Sequence, residues 1–220
     1  MDLPTFVTFD CYGTLVDFDI DAVTVRTLGP RLEGIDVDAF LRDFEEIRYQ
    51  EVLGAYRPYR EVLRGSLAQA MQRFGLTYRD DDGGAIVAAV PTFGPFPEVP
   101  PVLERLRRRY ELAIISNTED ELIAGNLRNI GVHFDRVITA EQARAYKPSP
   151  AIFHHALREL GCGAGDVLHV AQGFRYDIVP AHALGWARVW INRYGKPGDP
   201  AYGPYHELPD LSGLPALIGV

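Results

Sequence analysis

Two cysteines in 220 residues, Cys11 and Cys162, are too few and too far apart for a disulfide framework, and their separation matches no zinc-ligand spacing. That scarcity fits a reducing, cytoplasmic setting. Basic charge is also short. Against 30 Asp and Glu there are 22 Lys and Arg, a formal net charge of -8. Nucleic-acid binders draw their affinity from clustered cations, so this balance argues against one. The one dense basic run, Arg105-Leu106-Arg107-Arg108-Arg109, is too short to reverse it and reads as a solvated helix face. No apolar stretch approaches the roughly 20 residues that span a bilayer. The first residues, Met1-Asp2-Leu3-Pro4, lack the charged n-region and long apolar core of a secretion signal. Internal repeats and low-complexity segments are missing too. What the chain does have is a globular share of apolar residues, 47%. At this length that suffices to bury roughly 70% of the surface an unfolded chain exposes. One domain, or one domain with a sizeable insertion, follows.

Phe6-Val7-Thr8-Phe9 is a short β-rich run that stops at Asp10 and turns at Gly13-Thr14. Four further runs, 112–116, 136–139, 167–171 and 187–191, read as strands. Helical patterns over 99–109, 119–130, 150–160 and 178–184 lie between them, with Thr118 and Glu121 as a capping box for the second. Strands alternating with helices predict right-handed βαβ units and a doubly wound, mostly parallel α/β sheet. Residues 18–92 break the alternation. They carry helical patterns at about 21–32, 37–53, 59–74 and 84–90, with Asp17 as the expected cap of the first. This predicts a helical cap domain, 18–92, inserted into a core domain of 1–17 and 93–220. The Gly- and Pro-rich tail from Gly195 reads as a surface wrap.

In such a sheet the chemistry gathers beyond the carboxyl ends of the strands. Strand one ends in Asp10-Cys11-Tyr12-Gly13-Thr14 and strand two in Ser116-Asn117-Thr118. Lys147-Pro148 precedes a helix, and strand four runs through Ala171-Gln172-Gly173 towards Asp177. Singly, each has a plain explanation: a strand-end Asp as a turn residue, Ser-Asn-Thr as a helix cap, Lys-Pro as a surface turn. Together, in this order and on one sheet edge, they resemble the haloacid dehalogenase superfamily of hydrolases over nearly the whole chain. Asp-x-Tyr-Gly-Thr is most similar to its type II 2-haloacid dehalogenase branch.

The residues support a mechanism in their own right. Asp10 is a carboxylate able to attack an electrophilic centre from a water-poor pocket and form a covalent ester. Gly13 permits close approach. Thr14, Ser116 and Asn117 supply hydroxyl and amide donors. Lys147 is the fixed cation that favours ionised Asp10, and Asp177 pairs with it and positions the water that opens the ester. The resemblance implies the same roles, with Asp10, Lys147, Asp177, Thr14 and Ser116 catalytic and Tyr12 and Asn117 at the substrate.

Phosphatases of the superfamily generally carry a second Asp two residues after the nucleophile, and an acidic fourth motif that holds magnesium. Here those places are Tyr12 and Gln172, a phenol and a neutral amide, which are poor ligands for a hard cation. Halide needs no proton to leave, so the pattern implies cofactor-free, metal-free displacement at carbon, with a small 2-haloacid as substrate. Other features depart from the branch. A Tyr expected six residues after the motif Lys is Phe153, and the Ser and Asn expected before Asp177 are Gln172 and Phe174.

For the departing halide or the substrate carboxylate, the 37–53 pattern offers Arg48, on a stripe with Leu41, Phe44 and Val52 where a lone charge is costly. A snorkelling Arg is the plain alternative. Arg42 is the rival on the opposite, polar side. His169 reads as packed or hydrogen-bonded, and Asp80-Asp81-Asp82 as a helix start. Tyr56 and Tyr59 read as packing or as the cap mouth. The rival functions are a magnesium phosphatase using Asp10 as phosphoryl acceptor, a hydrolase of another electrophilic carbon such as a C–N bond, and a non-catalytic binding protein. A two-fold dimer through the cap is expected only on general grounds of symmetry.

Overall fold

Phe6–Phe9 (β1), with all four side chains buried, is the centre of the molecule. The computed structural model describes residues 4–220; Met1, Asp2 and Leu3, which belong to the region without a secretion-signal pattern, lie outside the described residues. After β1 come four helices, Ile20–Leu28 (α1), Val37–Val52 (α2), Tyr59–Arg73 (α3) and Asp80–Ala89 (α4). Val99–Leu106 (α5), Glu111–Ser116 (β2), Asp120–Ile130 (α6), Arg136–Thr139 (β3), Ala140–Ala143 (α7) and Pro150–Leu160 (α8) follow. The chain closes with Val167–Ala171 (β4), Val179–Ala183 (α9), Ala187–Ile191 (β5), His206–Leu208 (β6) and Leu214–Leu217 (α10).

All six strands are parallel, in the order β3-β2-β1-β4-β5-β6. The fold is therefore a doubly wound α/β sheet. Its winding reverses between β1 and β4, which opens a crevice beyond their carboxyl ends. Side chains alternate across the sheet. One face carries Val7, Phe9, Leu112, Ile114, Val170 and Val189, and the other carries Phe6, Ala113, Ile115 and Val167. Both faces are covered, which is why the strands read as unbroken apolar runs. Each large side chain buried there, such as Phe9, contributes about 1.5–3 kcal/mol.

Helices α1–α4 pack around Phe40, Phe44, Leu63, Leu67 and Met71. The chain leaves for them and returns side by side: Asp17 N donates to Gly94 O at 2.9 Å and Phe96 N to Leu15 O at 3.1 Å. Among the described residues, no helix is long and apolar enough to cross a membrane.

Several local expectations are corrected. The tail contributes a sixth strand, β6, because three residues suffice to pair with the free edge of β5. Helix α5 ends at Leu106, not 109, since Arg109 N and Tyr110 N both fall back on Leu106 O. Helix α1 stops at Leu28, where Gly29 (φ 51°) and Pro30 end it. Helix α4 starts at Asp80 rather than 84, closed by Asp82, which accepts from Arg79 N and pairs with Arg31. Asp19, not Asp17, caps α1 by accepting from Ala22 N. Thr118 does not cap α6; its N-cap is Glu119, and the Thr118 hydroxyl meets Tyr12 instead. The segment before α9 is a wide π-helical turn, Phe174–Ile178, in which Asp177 N and Ile178 N share Gly173 O.

Candidate active site

The crevice holds a cavity of about 740 Å³ between the sheet edge and the inserted helices. Its floor is built from two strand ends and a helix–helix connection. Asp10 follows β1 directly, its N–H donating to Val170 O at 3.1 Å, which continues the β1–β4 ladder by one residue. Lys147 arrives in the connection between α7 and α8, and Asp177 in the wide turn after β4. Lys147 Nζ donates to Asp10 Oδ1 at 2.7 Å, to Asp177 Oδ1 at 2.7 Å and to Ile115 O at 2.9 Å. All three ammonium hydrogens are thus spent on fixed acceptors. The Thr14 hydroxyl donates to Asp10 Oδ2 at 2.9 Å and accepts from Gln172 N at 2.8 Å. Arg193 steadies that loop, donating to Thr14 O at 2.7 Å and pairing with Glu98. Gly13 stands at φ 81°, and a Cβ there would come within 3.2 Å of Gln172 Oε1, so glycine serves both the turn and the close approach.

The other expected residues fall into two groups. Asn117 lines the cavity, but its amide is engaged with the backbone of Lys147, donating to Lys147 O at 2.9 Å and accepting from Lys147 N at 2.7 Å. Its position fixes the lysine. Ser116 Oγ is buried with no hydrogen-bond partner among the described residues. Tyr12 gives the cavity only its ring. Its hydroxyl lies 3.2 Å from Thr118 Oγ1 and donates to Asn126 Oδ1 at 3.1 Å. Phe153 is fully buried against His169 and Trp186, and Phe174 packs into Trp190 and Tyr205, away from the cavity lining.

The roof comes from α1, α2 and α3. Arg48 lines the cavity and Arg42 does not. Arg48 lies 4.4 Å over the Phe44 ring and donates from Nε to Phe44 O at 3.4 Å. Around it stand Asp21, Glu45, Tyr59 and Tyr176. Tyr56 is instead stacked on Tyr146. The sequence holds two lysines, Lys147 and Lys196, and both line this cavity.

Electrostatics separate the two carboxylates. Burial pushes the Asp10 carboxyl up and Asp177 adds to that, while Lys147 and Thr14 pull it back; the net direction is upward. Lys147 favours the ionised form, as expected, and moderates the effect of burial on Asp10 without cancelling it. A carboxylate of raised basicity is the result. For Asp177, burial also pushes upward, but the Lys147 charge and the His169 ring outweigh it and hold the carboxyl below its ordinary range. Burial opposes the charge on Lys147, yet two carboxylates at 2.7 Å raise its pKa. On the roof, burial raises Asp21 and Arg48 opposes the shift, so the arginine's field is partly offset.

Three contributors were not legible in the sequence as site residues. Gly173 is one: a Cβ there would come within 2.5 Å of Asp177 Oδ2. Tyr176 lines the cavity and stands edge-on to Tyr49 of α2, joining floor to roof. His169 reaches Asp177 from β4. The one signal for His169 was a lone imidazole in an otherwise apolar strand.

Residues 5–185 match the family described as haloacid dehalogenase-like hydrolase. The chain is 29% identical to (S)-2-haloacid dehalogenase 1 of Pseudomonas sp. (strain CBS-3), over 99% of this chain and 98% of that one. It is 30% identical to haloacetate dehalogenase H-2 of Moraxella sp. (strain B), over 97% of each. Among solved structures, a dehalogenase captured with an intermediate complex superposes with a TM-score of 0.84 at 25% identity, over 99% of this chain and 98% of that one. An L-2-haloacid dehalogenase superposes at 0.88 with 24% identity, over 99% and 100%, a likeness of fold.

Proposed function

The chain belongs to the haloacid dehalogenase-like hydrolases, and from that membership we propose that it hydrolyses the carbon–halogen bond of a small 2-haloalkanoic acid through an ester on Asp10. The observation that carries this reading is Lys147 Nζ, 2.7 Å from an oxygen of both Asp10 and Asp177 at the floor of one cavity. Residues 18–92 act as the cap over a core of 1–17 and 93–220.

In the first step the Asp10 carboxylate attacks the α-carbon from the side opposite the halogen. A C–O bond forms, the carbon–halogen bond breaks, and halide leaves with its electron pair towards Arg48. In the second step a water gives its proton to Asp177 and its hydroxide adds to the Asp10 carbonyl carbon. The acyl C–O bond breaks, the 2-hydroxy acid departs with the proton returned by Asp177, and the water's other proton leaves Asp10 for solvent, restoring its carboxylate. The solvent oxygen stays in Asp10 until the next cycle.

Phosphoryl transfer fits the donor set less well. Beside Asp10, the places where a metal-dependent phosphatase needs carboxylates hold the Tyr12 phenol, turned into Thr118 and Asn126, and the Gln172 amide. Phe153 and Phe174 favour a second reading within the same chemistry: with those donors gone, the electrophilic carbon can carry a leaving group other than halide.

The test is a halide- and phosphate-release panel, with and without EDTA, on wild type and Asp10→Asn. Halide release that is insensitive to chelator and lost in the variant is expected. Single turnover in heavy-oxygen water should label Asp10 before product. Phosphate release that requires magnesium, or label passing directly to product, overturns the reading.

A further inference from the structure

His169 is the one polar side chain on β4, whose sequence is Val-Leu-His-Val-Ala, and it is fully buried. The β1–β4 register pairs it with Thr8, so the two side chains stand together on the face that Asp10, one residue beyond β1, shares two positions further along the chain. Thr8 Oγ1 lies 2.9 Å from His169 Nδ1, and His169 Nε2 lies 2.9 Å from Asp177 Oδ1. An ionised carboxylate only accepts, so Nε2 carries a hydrogen, and in the neutral ring Nδ1 accepts from the Thr8 hydroxyl. This tautomer is assigned from the hydrogen-bond network. Phe153 and Trp186 close the remaining sides edge-on, at 5.8 and 6.0 Å, and offer the imidazole no hydrogen bond.

The donors to Asp177 converge on one oxygen. Lys147 Nζ and His169 Nε2 both reach Oδ1. Oδ2 takes neither of these bonds. It lies over Gly173, where even a methyl group would crowd it to 2.5 Å, and both Gly173 and Asp177 line the cavity. Lys147 alone, although itself held by three acceptors, leaves the carboxylate free to turn about a single donor. A second donor, rooted on the central strand, removes that freedom.

We infer that His169 is a positioning residue for the second half-reaction: the Thr8–His169 pair locks the Asp177 carboxylate so that Oδ2 faces the water that opens the Asp10 ester. It does the work of a second donor in a site where Phe153 and Phe174 supply none. The inference rests on the reading of Asp177 as the base that takes the water's proton.

The test compares wild type, His169→Phe, His169→Gln and Thr8→Val in rapid-quench reactions with 2-chloropropionate and bromoacetate. In His169→Phe, one equivalent of halide per enzyme should appear at close to the wild-type rate. Steady turnover should then be slower by about 10- to 100-fold, and intact-mass spectra should show the ester accumulating on Asp10. His169→Gln, which restores an N–H donor, should recover most of the turnover. Thr8→Val, nearly isosteric, should show the same split in smaller measure, and it carries the test if His169→Phe does not fold. Unchanged turnover in His169→Phe or Thr8→Val, burst and turnover lost in equal proportion, or no rescue by Gln would each overturn the assignment. If wild type releases no halide from either probe, the dehalogenation reading beneath it falls, and the positioning role with it.

Discussion

The floor and the roof of the cavity are held in opposite ways. On the floor, Asp10, Lys147, Asp177 and His169 are buried, and each is tied by at least two hydrogen bonds of 2.7–2.9 Å to a strand end or its neighbour. On the roof, Arg48 makes a long 3.4 Å bond to its own helix, rests on the Phe44 ring and faces the Tyr59 hydroxyl, with acidic Asp21 and Glu45 beside it. Buried charges must be paired, and their pairing fixes geometry. Half-solvated ones can adjust to what they meet. On the proposed reading, the bond-making step therefore belongs to the rigid half, and the choice of leaving group and side chain to the adjustable half.

Removing the cation that joins the floor should have the largest effect. Lys147→Met leaves two buried carboxylates without their shared partner, an expected loss of about 3–5 kcal/mol of stability together with all turnover, measurable by urea unfolding and halide release. Full stability in that variant would mean that the floor is not held by charge.

Next comes Gly173→Ala. The added carbon would meet Asp177 Oδ2 at 2.5 Å and push the carboxylate aside. About a 100-fold fall in kcat is expected, with stability much less affected than in Lys147→Met.

The roof should respond more mildly. Arg48→Ala is expected to lower kcat/KM by about tenfold to a hundredfold, the equivalent of one charge-assisted hydrogen bond, with an unchanged unfolding midpoint. An unchanged kcat/KM would remove Arg48 from the site. Arg42→Ala should do nothing to either, since Arg42 is absent from the cavity lining.

The smallest effect expected is a shift in the pH profile. Activity needs ionised Asp10, whose pKa is raised above 3.8, so kcat/KM should fall as pH drops through a value higher than that of an ordinary carboxylate. Thr14→Val removes a hydrogen bond that lowers this pKa, and the acid limb should move further up. A limb that stays put or moves down would mean that the Thr14 bond does not tune Asp10.

Legibility in the sequence divides along the same line. Three strands, 136–139, 167–171 and 187–191, coincide residue for residue with β3, β4 and β5; the inner two, β4 and β5, bury both faces and so read as apolar runs between turns. The edge strand β6 is three residues long, mostly exposed, and sits in a Gly- and Pro-rich tail, so nothing local marked it. Asp10, Lys147 and Asp177 were found from their order at the strand ends, and they do meet in space. The engagement of Asn117 with the Lys147 backbone and the turning away of the Tyr12 hydroxyl were not readable. Neither were His169 and Gly173, since spacing says which residues share a loop and not which way a side chain turns. Arg48 was separable from Arg42 because helical periodicity alone assigns them to different faces.

By itself the sequence determined the alternation of strands and helices, the place of the helical insertion, and the identity of the residues delivered to one edge of the sheet, because these follow from local periodicity and from turn chemistry. Only the tertiary structure decided which oxygen of Asp177 takes Lys147 and His169, that burial outweighs Lys147 at Asp10, and which acids stand beside Arg48. Those depend on desolvation and on contacts such as Thr8 with His169, 161 positions apart in the chain, and no local pattern encodes them.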